Sequence, residues 1–461
     1  MADPVLLLHR ADPELHVYTT GSVQSPASIR DQMIRGRLLI QRAELAGLIS
    51  DSKSLVVVGA GAGGATAAMT AKELGVPCTL VDSEPLVGGQ SRPFARQRGC
   101  TTRQIEPSLY DWPLPRHNHS SWGHPSMPLT YTAGLANDVV MRDLDPAFKA
   151  AKLRTSWGAI VEDKPERGLS GMLEVKVKDV LSGDTSTLLC DMVLFAIGAG
   201  QETVTVGAYS GYRFWDSDAF NQVPLVNSGN GNVLISGGGD GALQDLIRIV
   251  TDPERAPSPY MLWDAIRGFV DHEVLLRIAE IEDQAQRMLL WSGSKPTDCD
   301  VHIDLRIGYA AVLRELWKSG NMVHIREALA GFWRDPLPKV TLLHPCSHFS
   351  RCYGLNHFIS LLIFELLRHR GVTRKPGYSL STVRASVISG HSCRSAASCH
   401  GADHDVELID ETCRGGKGSG APLNGGTHNV VVVRHGIDGK AMKSPVGPVP
   451  LARQMLPYDL L

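Results

Sequence analysis

Two glycine-rich clusters carry the clearest chemistry in this sequence. Leu55-Val56-Val57-Val58, an apolar run of strand length, leads into Gly59-Ala60-Gly61-Ala62-Gly63-Gly64. An alanine-rich stretch, Ala65 to Leu74, follows as a helix that stops at Gly75. At a strand–turn–helix junction of this kind, backbone N–H groups and the positive helix end face a pyrophosphate. Gly59 permits the tight turn, Gly61 leaves out a side chain where the phosphate approaches, and Gly64 lets the helix pack close on the strand, with Gly63 in the same cradle. A second strand, Pro77 to Val81, ends on Asp82, which is placed to accept from a ribose hydroxyl. A lone GxGxxG arises by chance in glycine-rich loops; here strand, helix, second strand and terminal acid agree on dinucleotide binding.

The second cluster repeats the logic. Asn232 to Ser236 feeds Gly237-Gly238-Gly239-Asp240-Gly241-Ala242, and the helix Leu243 to Val250 follows directly. Gly237, Gly239 and Ala242 have the fingerprint spacing, with Asp240 inside the turn, and alanine is permitted at the last position. Its following strand ends at Leu343-His344, not at an acid. With no carboxylate to repel it, a 2′-phosphate becomes acceptable, and His344, His348 or Arg351 could supply positive charge, which favours NADP over NAD. The competing reading is a second domain of the same type that binds nothing.

The elements that must position these turns repeat as well. Each half reads strand, glycine turn, helix, second strand, then a later strand ending in glycine: Asp191 to Gly198 in the first half and Asn429 to Gly436 in the second. The fold class expected is α/β, two tandem Rossmann-like dinucleotide-binding domains with a helical insertion in the second. The divisions expected are an N-terminal segment and helix over 1–50, a first domain over 51–230 and a second over 231–440. The helix-rich insertion covers 255–335, with Trp263, Trp291, Trp317 and Trp333, and a tail runs over 441–461. Ser25-Pro26 is placed to cap and open the helix of 26–49, whose apolar face includes Ile29, Met33, Ile34, Leu38, Leu45 and Leu48. Met172 to Val180 and Ser186 to Cys190 read as antiparallel strands, 380–412 as short strands with loops, and Gly415 to Gly426 as a mobile linker.

A chain of 461 residues exceeds the roughly 250–300 at which one core stops growing. Lys and Arg number 46 against 48 Asp and Glu, so no global field drives the chain toward nucleic acid or anionic lipid. The 43% hydrophobic content is too high for disorder. The opening MADPVLLLHRADPELH has too short an apolar run for a secretion signal, and Phe358 to Leu367 is interrupted by Glu365 and too short to span a bilayer. Nine cysteines, an odd count, point to free thiols in a reducing compartment, with the cytoplasm as the default.

The residues Gly59 to Gly64, Asp82 and the downstream Gly88-Gly89 resemble the FAD fingerprint of two-dinucleotide-binding-domain flavoproteins. Phe195-Ala196-Ile197-Gly198 resembles the turn that closes the FAD domain in that superfamily. Gly237 to Ala242 is similar to the NAD(P)H-domain turn of thioredoxin-reductase-like and N-hydroxylating monooxygenase enzymes. The resemblance spans 53–90, 188–248 and 339–437. It implies that Gly88 and Gly89 pass the cofactor and that Gly198 closes its domain; Gln90, Ser91 and Arg92, just beyond, would lie near its phosphates or ring, with Arg92 supplying charge or standing as an ordinary surface arginine. It implies FAD reduced by NADPH and a small-molecule substrate; the charge balance and short apolar runs add the expectation of neither nucleic acid nor membrane as partner. Asp82 stands where glutamate is more usual. A redox CxxC is missing, so dithiol exchange is not expected; reduced flavin is then expected to react with dioxygen and hydroxylate a small molecule such as an amine. An NAD(P)H:acceptor reductase and a dinucleotide-binding sensor or scaffold are the alternatives. His435-Gly436-Ile437-Asp438 aligns with the closing turn rather than with the late Gly-Asp turn of disulfide reductases.

Two further groups have bland readings beside the chemical ones. Tyr110, Asp111 and Trp112 in a proline-rich loop, followed by His117, His119 and His124, suit a wall beside an isoalloxazine ring, or a packed loop whose tryptophan fills a core gap. His391, Cys393, Cys399, His400, His404 and Cys413 are zinc-ligand types, but their spacing misses the tight knuckle of structural zinc, so free thiols and no metal are expected.

Overall fold

The computed structural model describes residues 3–20, 28–87, 90–105, 112–113, 121–122, 127–198, 201–215, 229–256, 258–291, 298–349, 352–385, 403–411, 422–438 and 445–446. Two parallel sheets carry the two glycine turns. In the first half the elements are β1 (Val17–Thr19), α1 (Ile29–Leu45), β2 (Leu55–Val58), α2 (Ala62–Glu73), β3 (Cys78–Asp82), β4 (Arg154–Trp157), β5 (Leu173–Asp179), β6 (Thr185–Cys190) and β7 (Met192–Phe195). The sheet order is β1-β7-β2-β3-β4, all parallel, with β5 and β6 forming an antiparallel hairpin beside it. Leu55 and Val57 enter one apolar cluster and Val56 and Val58 another, so both faces of the sheet are covered. That is why its strands read as unbroken apolar runs rather than alternating ones.

In the second half the elements are β8 (Asn232–Ser236), α3 (Asp240–Val250), α4 (Pro259–Ile266), α5 (His272–Trp291), α6 (Asp298–Lys318), α7 (Asn321–Leu329), β9 (Lys339–His344), α8 (Gly354–Leu367), β10 (Val372–Pro376), β11 (Tyr378–Ala385), β12 (His404–Asp410), β13 (Leu423–His428) and β14 (Val430–Val433). The parallel order here is β10-β9-β8-β14, while β11, β12 and β13 make a separate antiparallel sheet. In both halves the first strand is flanked by the second strand on one side and the late strand on the other. The strand order reverses there, and the crevice beyond those strand ends is where ligands settle in open α/β sheets. Helices α4 to α7 form the insertion, tied to α8 where the Trp317 indole N–H donates to Glu365 at 3.1 Å. The halves are also joined by a short antiparallel pairing of Gln201–Glu202 with Ile437–Asp438.

Several elements differ from the sequence expectation. Helix α1 starts at Ile29, and Ser28 rather than Ser25 caps it, in a capping box with Asp31; Ser25-Pro26 lies outside the described residues. Leu45 is exposed at the C-terminal end of that helix. The N-terminal segment adds an edge strand that the sequence did not announce: Val17–Thr19 pairs in parallel with Val193–Phe195. Three residues are too few for a readable period, so only the sheet edge reveals this strand. Asn424 to Gly426 lie within β13 and not in a linker; residues 412–421 lie outside the described residues.

Candidate functional site

At the first turn, Gly59 has φ +106°, a conformation that glycine adopts without strain. Its missing Cβ would sit 2.6 Å from the Ala196 carbonyl oxygen, so strand β7 closes directly over the turn. Gly61 is the N-cap of α2, and a Cβ there would meet nothing within 4 Å. Gly64 is the opposite case: a Cβ would overlap the Gly59 carbonyl oxygen and lie 3.1 Å from the Ala196 Cβ. Close packing thus dictates Gly59 and Gly64, while Gly61 guards open space in front of a helix N-terminus. Gly63 faces elsewhere. Its Cβ would lie 3.1 Å from the Gln32 carbonyl oxygen, and a Cβ on Gly36 would overlap the Gly63 carbonyl, so this pair lets α1 cross α2 backbone to backbone. The Cα of Gly63 thus serves helix packing, while its N–H is among the first of α2.

Asp82 ends β3 beside that open space. Its carboxylate accepts from the Ala60 N–H, and from the Glu84 N–H at 2.8 Å. Burial pushes its pKa up, and these two backbone donors pull it back toward the charged form. The acid therefore braces the glycine turn from the end of β3. Gln90 and Arg92 are both exposed, and the Phe94 N–H two residues on donates to the Ala60 carbonyl at 3.3 Å, so this segment passes over the turn. Phe94 itself holds φ +59°, an uncommon conformation for a bulky residue. Gly198 follows β7 with φ +82° and nothing near its Cβ position. Gly88 and Gly89 lie outside the described residues, as do Tyr110, Asp111, His117, His119 and His124.

The second turn has the same backbone plan. Gly237 has φ +146°, its N–H donates to the Leu343 carbonyl at 2.8 Å, and a Cβ would overlap the Arg434 carbonyl oxygen. Gly239 is the N-cap of α3, and Ala242 is fully buried in the core. Asp240 turns away from the turn. Its Oδ1 accepts from the Tyr353 N–H at 3.1 Å and the Asn356 side chain at 2.6 Å, and its Oδ2 accepts from Gln244 at 2.6 Å. Burial raises its pKa to about 6 against these donors. Asp240 thus ties the start of α8 to the turn, with its carboxylate taken up by these internal donors.

His344 does not supply positive charge. It is completely buried, its Nδ1 pairs with the Cys346 carbonyl at 2.6 Å, and burial lowers its pKa to about 4, so the ring is neutral at pH 7. Burial also lowers His348; Arg351 lies outside the described residues. Trp112 is not a flavin wall either. It plugs into the aromatic core of the insertion, 5.2 Å from Trp263, 6.0 Å from Tyr309 and 5.5 Å from Phe358 between ring centroids. Among the described residues no group of three or more metal-ligand side chains gathers. His404 packs against Tyr209 inside the antiparallel sheet, and Cys393, Cys399 and Cys413 lie outside the described residues.

Residue-type reasoning missed the most heavily buried charges. Asp245 of α3 is inaccessible and accepts from Arg103 at 2.5 Å and from Arg434 at 2.8 Å, while the Arg103 guanidinium lies 4.2 Å over the Phe214 ring. Arg103 belongs to the first half, Phe214 to the connection and the other two to the second half, so this triad holds the halves together. Two cations on one acid are far apart in sequence, and no spacing could have announced them. A second unannounced group is Glu282 of α5. Its carboxyl occupies the space a Cβ on Gly354 would need at the start of α8, its Oε1 is buried without a hydrogen-bond partner, and burial raises its pKa to about 8.

Comparison with known proteins places the first turn in a family context. The NAD(P)-binding Rossmann-like domain family matches residues 57–119. No curated protein matches the chain by sequence. Among solved structures, the chain is similar to the bacillithiol disulfide reductase of Bacillus cereus, at 10% identity and TM-score 0.40, covering 84% of this chain and 78% of that one. It is also similar to the FAD-bound cadaverine monooxygenase of Erwinia amylovora, at 11% identity and TM-score 0.40, covering 83% and 78%. The ornithine hydroxylase of Pseudomonas aeruginosa gives 11% identity and TM-score 0.38, covering 87% and 85%.

Proposed function

We propose that this chain is an FAD-dependent oxidoreductase reduced by NAD(P)H, with FAD on the turn Gly59 to Gly64 and the nicotinamide cofactor on the turn Gly237 to Ala242. The observation that carries this reading is the duplication. Each parallel sheet sets a glycine turn at the N-terminus of a helix of 11 or 12 residues, with the late strand closing over the turn's first glycine. The first cradle fits a dinucleotide well: the Cβ position of Gly61 is open, three or more helix N–H groups lack partners within the helix, and Asp82 stands at the strand end. At the second turn the backbone plan is the same, and Asp240 keeps its charge turned aside. Bound FAD would supply the two-electron chemistry. The chain's own groups would hold the pyrophosphates, orient the two cofactors and keep water from the junction between the halves.

The finer reading is hydroxylation of a small molecule, such as an amine, by dioxygen. Two of the described thiols support a route that does not use a dithiol. Cys190 is buried and its pKa is raised to about 12, and burial next to Asp240 and Glu282 raises Cys352 as well, so neither is a reactive thiolate. The test is an anaerobic visible spectrum of the purified protein, before and after NADPH, followed by air with candidate amines present. Flavin bands that bleach and return, with oxygen consumed in step with hydroxylated product, are the expected result. Bleaching that only an added dye or quinone reverses would replace hydroxylation by acceptor reduction. Protein that stays colourless after FAD is added would overturn the flavoenzyme reading.

A further inference from the structure

A short stretch of chain runs from one glycine turn to the other. At its start the Phe94 N–H donates to the Ala60 carbonyl of the first turn at 3.3 Å, and the buried Phe94 ring meets Phe148 at 6.2 Å between centroids. A single helical turn, Ala95–Arg98, follows, and the Arg98 guanidinium lies 3.2 Å from the buried Asp145 carboxylate. The Cys100 carbonyl then accepts from the Asn137 N–H at 3.0 Å, and the Arg103 carbonyl accepts from the Ala136 N–H at 2.8 Å. The stretch ends against the other half. Arg103 is buried, and its guanidinium donates to the Phe214 carbonyl at 2.8 Å and to Asp245 of α3 at 2.5 Å. What Arg103 grips lies directly behind the second turn. A Cβ on Gly241 would stand 3.3 Å from the Phe214 ring and 3.5 Å from the Arg434 Cδ, and Asp245 belongs to the helix that Gly239 caps. Arg434, whose carbonyl closes over Gly237, donates to the other oxygen of Asp245 at 2.8 Å. The Phe214 N–H is held in turn by the Glu202 carboxylate at 2.6 Å.

Backbone hydrogen bonds, a buried ion pair and ring contacts therefore run from Ala60 of one turn to Gly241 of the other, through groups packed too closely to give. We infer that residues 94–103 are a strut that fixes the separation of the two cofactor turns, with Arg103 as the positioning residue that locks it. The inference rests on the proposed placing of FAD and NAD(P)H on those turns. In the reduction it serves, a hydride leaves the nicotinamide with both bonding electrons and adds to the flavin. NADPH is oxidised, FAD is reduced, and the strut gives up no atom. Such a transfer depends steeply on position: a misplacement of about 1 Å costs about 100-fold in rate. A guanidinium suits the lock, because its rigid planar fork reaches the Phe214 carbonyl and Asp245 at once, which a single ammonium does not.

Arg103→Lys keeps a cation opposite Asp245, so no buried carboxylate is left unpaired, yet it gives up the fork that also holds Phe214. Stopped-flow reduction of the FAD-loaded whole protein should slow by about 10- to 100-fold at saturating NADPH. Flavin content and the Kd for NADPH should change by no more than about 2-fold, since neither turn is altered. Hydrogen exchange on the cofactor-free protein gives a readout independent of turnover. Peptides over 94–105 and 211–215 should exchange faster in the variant, while those of β2 and β8 keep wild-type protection. Phe214→Leu, which removes the ring 4.2 Å beneath the guanidinium, is the second variant and should show the same split. A saturating rate unchanged in both variants, or a loss carried wholly by NADPH affinity, overturns the strut and leaves the two cofactor sites standing. Faster exchange throughout, β2 and β8 included, makes Arg103 a general stability residue and overturns the strut as well. Wild-type protein that holds FAD but is not reduced by NADPH overturns the reading of the second turn and the strut with it.

Discussion

Substitution of Gly61 separates a glycine kept for a ligand from one kept for the fold. Gly61 has φ −72° and ψ −175°, which any residue adopts, and a Cβ would meet nothing within 4 Å. Gly61→Val therefore costs the protein only the weakened N-cap, about 0.5–1 kcal/mol. The same side chain would stand between the helix N–H groups and a pyrophosphate. Loss of two charge-assisted hydrogen bonds at about 1.5–3 kcal/mol each lowers flavin affinity by roughly 10²- to 10⁴-fold. Gly64→Ala is the control, because its Cβ would overlap the Gly59 carbonyl oxygen, with the Ala196 Cβ 3.1 Å away. Backbone must shift there, and the loss is on the order of 1–3 kcal/mol or more of folding stability. The assay pairs the flavin-to-protein absorbance ratio after FAD loading and desalting with a thermal melt by circular dichroism. Gly61→Val should melt close to wild type and emerge colourless, while Gly64→Ala should melt well below it. Full flavin occupancy in Gly61→Val, or a melting loss equal to that of Gly64→Ala, would refute the reasoning.

Three other perturbations test the buried groups. Asp245→Asn leaves the Arg103 and Arg434 guanidiniums without their common carboxylate, and urea unfolding should show a loss of about 3–5 kcal/mol; a change below about 1 kcal/mol would mean the triad is not holding the halves together. Glu282 has its pKa raised from 4.5 to about 8, so the folded state binds the extra proton and stability falls as pH rises from the lower value through the upper. Glu282→Gln should flatten that slope, with a urea midpoint above wild type near about pH 9 and close to it near about pH 5; parallel curves would show that the carboxyl is already ionised. Trp112→Ala empties a site in the Trp263, Tyr309 and Phe358 cluster and should remove about 3–5 kcal/mol while leaving the spectrum of bound flavin unchanged. A shifted flavin band in that variant would return Trp112 to the cofactor.

The alternation of strand, glycine turn and helix was legible because each part obeys a local rule. Apolar runs buried on both faces make β2, β7, β8 and β14, and a cap glycine at Gly61 or Gly239 starts the helix after β2 or β8. Gly59 and Gly64 could be assigned from spacing because the turn itself brings them together. Gly63 could not, since the reason for it is Gly36 on a separate helix. Asp240 and His344 sit at the positions a fingerprint predicts, yet their partners, Asn356 for one and the Cys346 carbonyl for the other, turn them to internal work. Trp112 shows the same limit: its residue type fits a cofactor wall, and the insertion's aromatic cluster claims it.

By itself the sequence determined the two strand–turn–helix units, their order and the acid at the end of β3, since hydrophobic period, capping and glycine conformation act over a few neighbouring residues. Tertiary structure alone decided which charges face one another. The triad of Arg103, Asp245 and Arg434 and the lodging of Glu282 at Gly354 each join elements distant along the chain. Electrostatic and packing energies depend on separation in space and on the exclusion of water, and neither is encoded by spacing along the backbone.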